Sequence, residues 1–554
     1  MNLLDRFICY FAPAYGQQRL AARATLQQIA NLTGISNGPY TAAKLSRLGS
    51  PHRQVVKENE VSTAQIDRLR EQSWNLYRNN PSARKVVRSL IAKVIGRGLH
   101  PECQAIQDNG TPATQFRQRA AQLWKDIQNG FDSRGVPGRG GQTLVGLQKL
   151  ALKSVILSGE TLYRVRAIDP NRQAKLGTPL PIALQLIDAA RLADESEILR
   201  SDVTVGNQIY RGIELDGNDE RVAYWIRNLS VTASAASTGK AVRVPADKIG
   251  HLFIEDDIDQ LRGVPWFAPA IIGIRDTGDL QYNVLKATAM AACVIGSYSK
   301  PTGATKLGLN QSATSSTSAD GTDLTDSDGN TITKFQPGML LNVGRDGKFD
   351  LHSPTQPNMN PEGFVQHLQR GTATAFPGVK ASTITGDYRN SSFSSERSAD
   401  NDTWPELHDV QDWFAESFCQ PLWESILRAG VMAGYFDGIV TSAEFQANPS
   451  RYCAAAWRGP IALSINPRDD AEAAKARISA GISDPQQEAA KVGNNWRDVV
   501  SNVAEFYAYC REKHIPEAWA NNVLGVDTSD QIAATVAATQ AQPADQVTQE
   551  TVNA

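Results

Sequence analysis

The sequence is short of the residues from which most catalytic and metal sites are built. Its seven histidines are dispersed over 554 residues. No H-E-x-x-H or C-x₂-C…H-x₃-H spacing appears among them, which excludes a zinc site of ordinary pattern. Six cysteines (Cys9, Cys103, Cys293, Cys419, Cys453, Cys510) are scattered without a C-x-x-C pair, so reduced thiols in a cytosolic setting are expected rather than a disulfide framework. Charge of one sign is lacking as well. A formal net charge of -2 does not describe a protein that coats nucleic acid with its whole surface. Long hydrophobic runs are missing too. "MNLLDRFICYFAPAYG" is split by Asp5 and Arg6 before a signal-type core forms, and "ATAMAACVIGSY" falls short of the roughly 20 apolar residues that span a bilayer.

Candidate chemical motifs fail one by one. "GVPGRGGQT" (Gly135 to Thr143) has the glycine spacing of a phosphate loop, but Gly141 and Gln142 stand where its lysine and hydroxyl should be. It reads as a turn between helices. The acidic run Glu255, Asp256, Asp257, Asp259 is too compressed for a calcium loop and reads as a solvated or partner-facing patch. "SGE" at Ser158 to Glu160 lacks the context of a nucleophile elbow. No catalytic residue, metal site or cofactor is expected.

What is present supports a large folded protein. Hydrophobic residues make up 41% and charged residues 21%, enough for sizeable cores, and the length suggests about two to four units. After a mixed N-terminal stretch, "RNNPSARKVVRSLIAKVIGRGL" reads as a helix, with Asn80 as N-cap, Pro81 at its first position and Gly96 closing it. Arg84, Lys85, Arg88 and Lys93 lie mainly off its apolar face, as a solvated basic surface or a nucleic-acid contact. Two further helices, "FRQRAAQLWKDIQNGF" and "TLVGLQKLALKSVILSG", precede a change of period. "ETLYRVRAI", "IALQLIDAARL", "QIYRGIELD", "RVAYWIRNL" and "KIGHLFIE" read as strands, so residues 62–272 form a mixed α+β unit.

A helix rich in small residues then runs toward Tyr298, suited to close approach of identical neighbours. A Ser/Thr/Asp/Gly-rich projection follows, then a hairpin with its turn at Arg345-Asp346-Gly347. "NPEGFVQHLQRGTATAFPG" is a helix. The polar stretch "TGDYRNSSFSSERSADNDTWPEL" next places four serines in five residues at the head of a long helix. That helix carries Leu407, Val410, Phe414, Phe418, Leu422 and Ile426 at three- and four-residue spacing, with Pro405 and Pro421 expected to kink it. Further helices with stops at Gly481 and Gly493 lead to an Ala/Gln/Thr-rich tail.

Taken in order, several of these stretches resemble the lambda-type portal protein family of tailed bacteriophages. They are "RNNPSARKVVRSLIAKVIGRGL", "VILSGETLYRVRA", "GIELDGNDERVAYWI", "VPADKIGHLFIEDDIDQLRGVPWFAPAI", "GDYRNSSFSSERSADNDTW" and "WRGP…NPRDDAEAAKARISAGISDPQQEA". Gln260, Arg262, Gly263, Val264 and Pro265 are the sharpest part. The likeness spans about residues 65 to 500. Two features depart from it: the insert at about 307–331 is long, and Phe376-Pro377-Gly378 replaces a more usual aliphatic stretch.

The resemblance implies a non-enzymatic α+β portal fold with a mixed wing, a two-helix stem, a small β-containing clip, a long kinked helix and a helical crown. On this chain the parts are an N-terminal arm (1–61), wing (62–272), first stem helix (273–300), clip (301–360), second stem helix (361–378), tunnel loop (379–395), kinked helix (396–435), crown (436–526) and disordered tail (527–554). It implies a dodecameric ring at one capsid vertex of the virion, assembled in the host cytoplasm. The ring conducts double-stranded DNA without sequence preference and meets the major capsid protein, the terminase large subunit and a head-completion or adaptor protein. DNA would be faced by Asp387, Tyr388, Arg389, Asn390, Ser391 and Ser392, with Arg389 giving a circle of isolated positive charges. Partners would dock on a clip bearing Asp320, Asp323, Asp326 and Asp328. The rival reading is a DNA-handling enzyme, a nuclease or the packaging ATPase, whose motifs are not found.

Overall fold

The computed structural model describes residues 63–107, 109–227, 241–299, 339–343, 361–389, 392–461, 467–492, 494 and 496–523. Asp320, Asp323, Asp326 and Asp328 of the expected clip, the expected turn at Arg345 to Gly347, the expected stop at Gly493, and the stretches expected as arm (1–61) and tail (527–554) all lie outside them. The chain divides into two units, Met1–Gln65 with Glu255–Arg262, and Ile66–Ile254 with Gly263–Ala554. In the first, the Gln260 side-chain oxygen accepts the N–H groups of Asp256 and Asp257, so the acidic run is folded as a turn.

The larger unit is a mixed α+β assembly of many helices and small sheets. It begins at Ile66, inside α1 (Thr63–Asn79), and continues with α2 (Pro81–Val94). The Asn80 side chain accepts the Ala83 N–H, and Gly96 takes φ +53 to end the turn. Val86, Val87, Leu90 and Val94 are buried. Strand β1 (His100–Cys103) and α3 (Thr114–Asp126) follow, then α4 (Leu144–Ser158), capped by Thr143.

Strand β2 (Thr161–Ala167), joined through α5 (Pro170–Leu176) to β3 (Ile182–Asp188), pairs antiparallel with β3 along its whole length. A second sheet holds β4 (Gln208–Tyr210), β5 (Ile213–Leu215), β6 (Arg221–Arg227) and β7 (Ala241–Pro245) in that order. "QIYRGIELD", read as one strand, is therefore a hairpin. Arg211 and Gly212 both take positive φ, 48° and 85°, as the two central residues of a tight hairpin turn require. Strand β8 (Gly250–Leu252) returns to the edge of β2.

Helix α6 (Ile271–Cys293) ends sooner than its small-residue pattern suggests. At Val294 the chain enters β9 (Val294–Ser299), which pairs in parallel with β10 (Met339–Val343). Val294, Ile295 and Tyr298 favour extended backbone, and Gly296 disfavours helix. Then come α7 (Pro361–Ala373), the single turn α8 (Ala381–Thr385) and α9 (Phe393–Phe414).

A π-helical segment, Ala415–Cys419, joins α9 to α10 (Gln420–Met432). Pro405 stays inside α9, whereas Pro421 follows the π segment. Leu407, Val410, Phe414, Phe418, Leu422 and Ile426 are all buried in the main core. Helices α11 (Ser442–Ala447) and α12 (Pro449–Cys453) and strand β11 (Ala455–Arg458) close this core, with β11 antiparallel to β1 and Phe436 stacked on Phe116 at 4.6 Å. Helices α13 (Pro467–Ser479), α14 (Pro485–Lys491), α15 (Trp496–Glu512) and α16 (Glu517–Val523) finish the described chain. Glu102 of β1 lies 3.3 Å from Arg458 of β11 and 3.5 Å from Arg497 of α15. Cys103, Cys419, Cys453 and Cys510 are buried free thiols.

Candidate functional site

The polar loop starts where α8 ends. Gly386 takes φ +68, a left-handed cap that suits glycine. Asp387, Tyr388 and Arg389 follow, and Ser392 opens α9 as its N-cap, its side chain accepting the Ser395 N–H. Asn390 and Ser391 lie outside the described residues. Tyr388 is 58% exposed, enough to offer its ring to solvent or to a neighbour rather than to this chain's core.

Arg389 is not the isolated cation its sequence context suggests. Its guanidinium grips the Asp387 carboxylate with Nε at 2.9 Å and a terminal nitrogen at 2.7 Å, and the same terminal nitrogen reaches Glu362 at 2.7 Å. The Arg389 side chain holds the Asp387 carboxyl down to about 2, and the two carboxylates raise the guanidinium above its ordinary value. One cation thus meets two anions, and the local charge is slightly negative. Sequence reading missed Glu362, whose only signal is its place as an acidic residue in the first turn of α7.

The loop's base is fastened more firmly. Lys380, before α8, bonds Glu396 at 2.9 Å and Asp400 at 2.7 Å in the first turns of α9. Gly378 takes φ +61, and a Cβ there would fall 2.3 Å from Leu407. Its N–H donates to Glu406 at 2.7 Å, and its carbonyl accepts from Lys93 at 3.0 Å. Phe376 packs on Phe267 at 4.7 Å. The Phe-Pro-Gly departure therefore forms a closely packed, fixed corner between α7 and the loop.

Helices α6 and α7 lie beside this loop. Gly273 near the start of α6 approaches Thr372 near the end of α7, and Thr288 and Glu362 border one cleft, so the two helices run antiparallel. The cleft measures 960 Å³ and is lined by Gln281, Leu285, Gln366, Tyr388 and Arg389 among others.

Two other singled-out stretches meet away from the loop. The Glu160 carboxylate of "SGE" accepts the Gly263 N–H at 3.0 Å, pairs with Arg70 and lies 2.9 Å from His251 Nε2. Glu160 is fully buried. It braces a junction, which accounts for the motif without a nucleophile. Among the described residues no group of three His, Cys, Asp or Glu side chains could hold a metal ion, and no helix is long and apolar enough to cross a membrane.

The model of the family described as "Phage portal protein, lambda family" matches residues 47–411. The chain belongs to that family. A curated relative, the "Probable portal protein" of Halomonas phage phiHAP-1, is 22% identical to this portal protein over 498 residues, covering 88% of each chain. Among solved structures, a chain of the virion of a native gene transfer agent particle is 14% identical, with a TM-score of 0.37, over 80% of this chain and 96% of its own. A chain from the neck of the native particle is also 14% identical, with a TM-score of 0.34, over 76% and 93%. The Arg389 loop, α6 and α7 all fall within the family match.

Proposed function

We propose that this portal protein closes into a ring of twelve at one capsid vertex and conducts double-stranded DNA inward during packaging and outward during ejection. The observation that carries the reading is the loop at Asp387 to Arg389. It is polar and carries no unpaired cation, and it stands beside two antiparallel helices within the matched region. A surface past which a duplex slides should neither read bases nor hold phosphates tightly. An arginine shared between two carboxylates meets that requirement better than a bare one.

In this reading residues 62–272 are the wing, and the stem spans 273–300 and 361–378 are built mainly by α6 and α7. Residues 301–360 form the clip, with Asp320, Asp323, Asp326 and Asp328 facing partners. Residues 379–395 are the tunnel loop, 396–435 the kinked helix and 436–526 the crown. The clip docks the terminase large subunit during packaging and a head-completion or adaptor protein afterwards, while the major capsid protein holds the wing. The ring works without catalysis of its own, and the ATPase is a separate subunit. No observation favours the nuclease or ATPase reading.

The test is native mass together with end-on electron microscopy of the purified protein, with and without capsid partners. Rings with a central hole at twelve times the 60.2 kDa chain are expected. A monomer that persists with those partners present would overturn the reading.

A further inference from the structure

Two stretches of this near-neutral chain carry cations and no carboxylate. From Gln72 to Pro101 stand Arg78, Arg84, Lys85, Arg88, Lys93 and Arg97, with neither Asp nor Glu. From Ser133 to Gly159 stand Arg134, Arg139, Lys149 and Lys153, again without one. The fold joins part of each. Lys153 of α4 places its ammonium 4.2 Å over the Tyr77 ring and 5.4 Å over Trp74, both on α1. The Arg78 guanidinium lies 5.5 Å over Trp74, and that of Arg84, on α2, 5.7 Å over Tyr77. Trp74 is fixed as a platform by its indole N–H, which donates to Ser158 Oγ at 2.9 Å. Lys85 and Arg88 continue the exposed side of α2 from Arg84, opposite buried Val86, Val87 and Leu90.

Several other cations of the chain are neutralised by carboxylates. Arg70 pairs with Glu160, Arg134 with Asp132, Arg227 with Asp194 and Glu197, and Arg243 with Glu214. Among the described residues no carboxylate pairs with Arg78, Arg84, Lys85, Arg88 or Lys153. Burial raises the Tyr77 hydroxyl, yet Lys153 and Arg84 bring it below its ordinary value, as an unneutralised positive field should. Among the described residues from 63 to 105 no large hydrophobic side chain is exposed. The surface therefore lacks the apolar centre around which protein interfaces form. Charge spread over three helices without an exposed apolar core suits a polyphosphate backbone.

We infer that the surface formed by α1, α2 and α4, centred on Arg84 and Lys153, binds the phosphate backbone of duplex DNA at a site distinct from the Arg389 loop. The site holds DNA that lies against the protein rather than DNA passing through it. The inference goes beyond the conduit reading and is separable from it.

The probe is covalently closed circular duplex, which cannot be threaded through a preformed ring. Binding is measured across a salt series with the full chain, for the wild type, R84Q/K85Q/R88Q, K153Q and R389A. The wild type should bind closed circles, with an affinity that falls as salt rises. The triple variant should lose at least about tenfold and flatten the log–log salt slope by about 3, near 0.9 per phosphate contact removed. K153Q should show a smaller loss of the same kind, and R389A should bind as the wild type does. Unaltered closed-circle binding by the triple variant, or none by the wild type at low salt, would overturn the inference. So would failure of the exposed-site variants to reach the wild-type assembly state, because the surface would then face a second copy of the chain. Loss of closed-circle binding in R389A with full binding in the triple variant would overturn the inference and place the contact at the Arg389 loop instead.

Discussion

The phenol of Tyr163 donates a 2.8 Å hydrogen bond to the backbone carbonyl of Ser417. That carbonyl stands four residues before Pro421, which has no N–H to give it. The strand β2 hydroxyl thus supplies the donor that the α9–α10 junction lacks, where the π-helical segment lies. The Tyr163 ring packs edge-on to Phe418 at 4.9 Å and is almost fully buried. Burial raises the phenol well above its ordinary value, so it remains a donor at any working pH.

Tyr163→Phe keeps the ring and removes the donor from a half-buried carbonyl. The expected cost is about 1–3 kcal/mol, read as a lower thermal midpoint and faster proteolysis at the junction. Tyr163→Phe combined with Pro421→Ala should recover part of the loss, because alanine in place of the proline restores the helical donor. A single variant as stable as the wild type would show that the hydroxyl contributes nothing.

The contact between Gly159 and Gly263 leaves no room for a side chain. Gly159 takes φ +86, and a Cβ on Gly263 would lie 2.2 Å from the Gly159 carbonyl oxygen. Backbone on both sides cannot yield as a flexible side chain would, so Gly263→Ala should destabilise by upward of about 2 kcal/mol. Alanine there also displaces the N–H that Glu160 accepts. Chemical denaturation checks this, and a wild-type midpoint for Gly263→Ala would refute the account.

Acid should act on the four-stranded sheet through Glu214. Its buried carboxylate accepts from the Trp225 indole, Asn207 and Arg243. Burial alone would raise it, but the hydrogen bonds from Arg243 and Asn207 win and hold it at about 2. A carboxyl whose folded value lies below its unfolded one stabilises the fold above the unfolded value and loses that stabilisation as pH falls toward the folded one. The sheet should therefore weaken between the ordinary carboxylate range and about 2. Acid titration followed by tryptophan fluorescence should show this limb in the wild type and lose it in Glu214→Gln, which is less stable at neutral pH. An identical acid limb in the variant would assign the effect to another group.

Local signals in the sequence located what local physics decides. Asn80, Pro81 and Gly96 bounded α2, and the three- and four-residue spacing from Leu407 to Ile426 named buried positions along α9 and α10. The Arg211–Gly212 turn is not legible in the sequence, because arginine rarely adopts the positive φ it takes there. The partner of Arg389 was not legible at all. Glu362 stands on another helix, and ion pairs between distant segments leave no periodicity to read. The same holds for Glu160 with Gly263 and Tyr163 with Ser417, where the signal is tertiary. The Asp-bearing clip and Asn390 and Ser391 lie outside the described residues.

The pairing of Arg389 gives the channel reading its most direct test. Glu362→Gln removes one of the two carboxylates and leaves the guanidinium held by Asp387 alone, 2.7 Å away. The net charge of the cluster then rises from -1 to zero in each subunit, so the loop repels phosphates less. If the loop faces DNA, phosphates should drag on the ring, and packaging should slow by up to about fivefold, the scale of one exposed charge contact. Raising salt should relieve the drag, since screening weakens exposed contacts. Arg389→Ala has the opposite sign, because both carboxylates are left facing the duplex without their cation. Assembly should be intact and DNA retention impaired. Nuclease-protected DNA per head, with ring formation checked by microscopy, separates these outcomes. Packaging unaltered in both variants would mean that this arginine organises the loop and never meets the cargo.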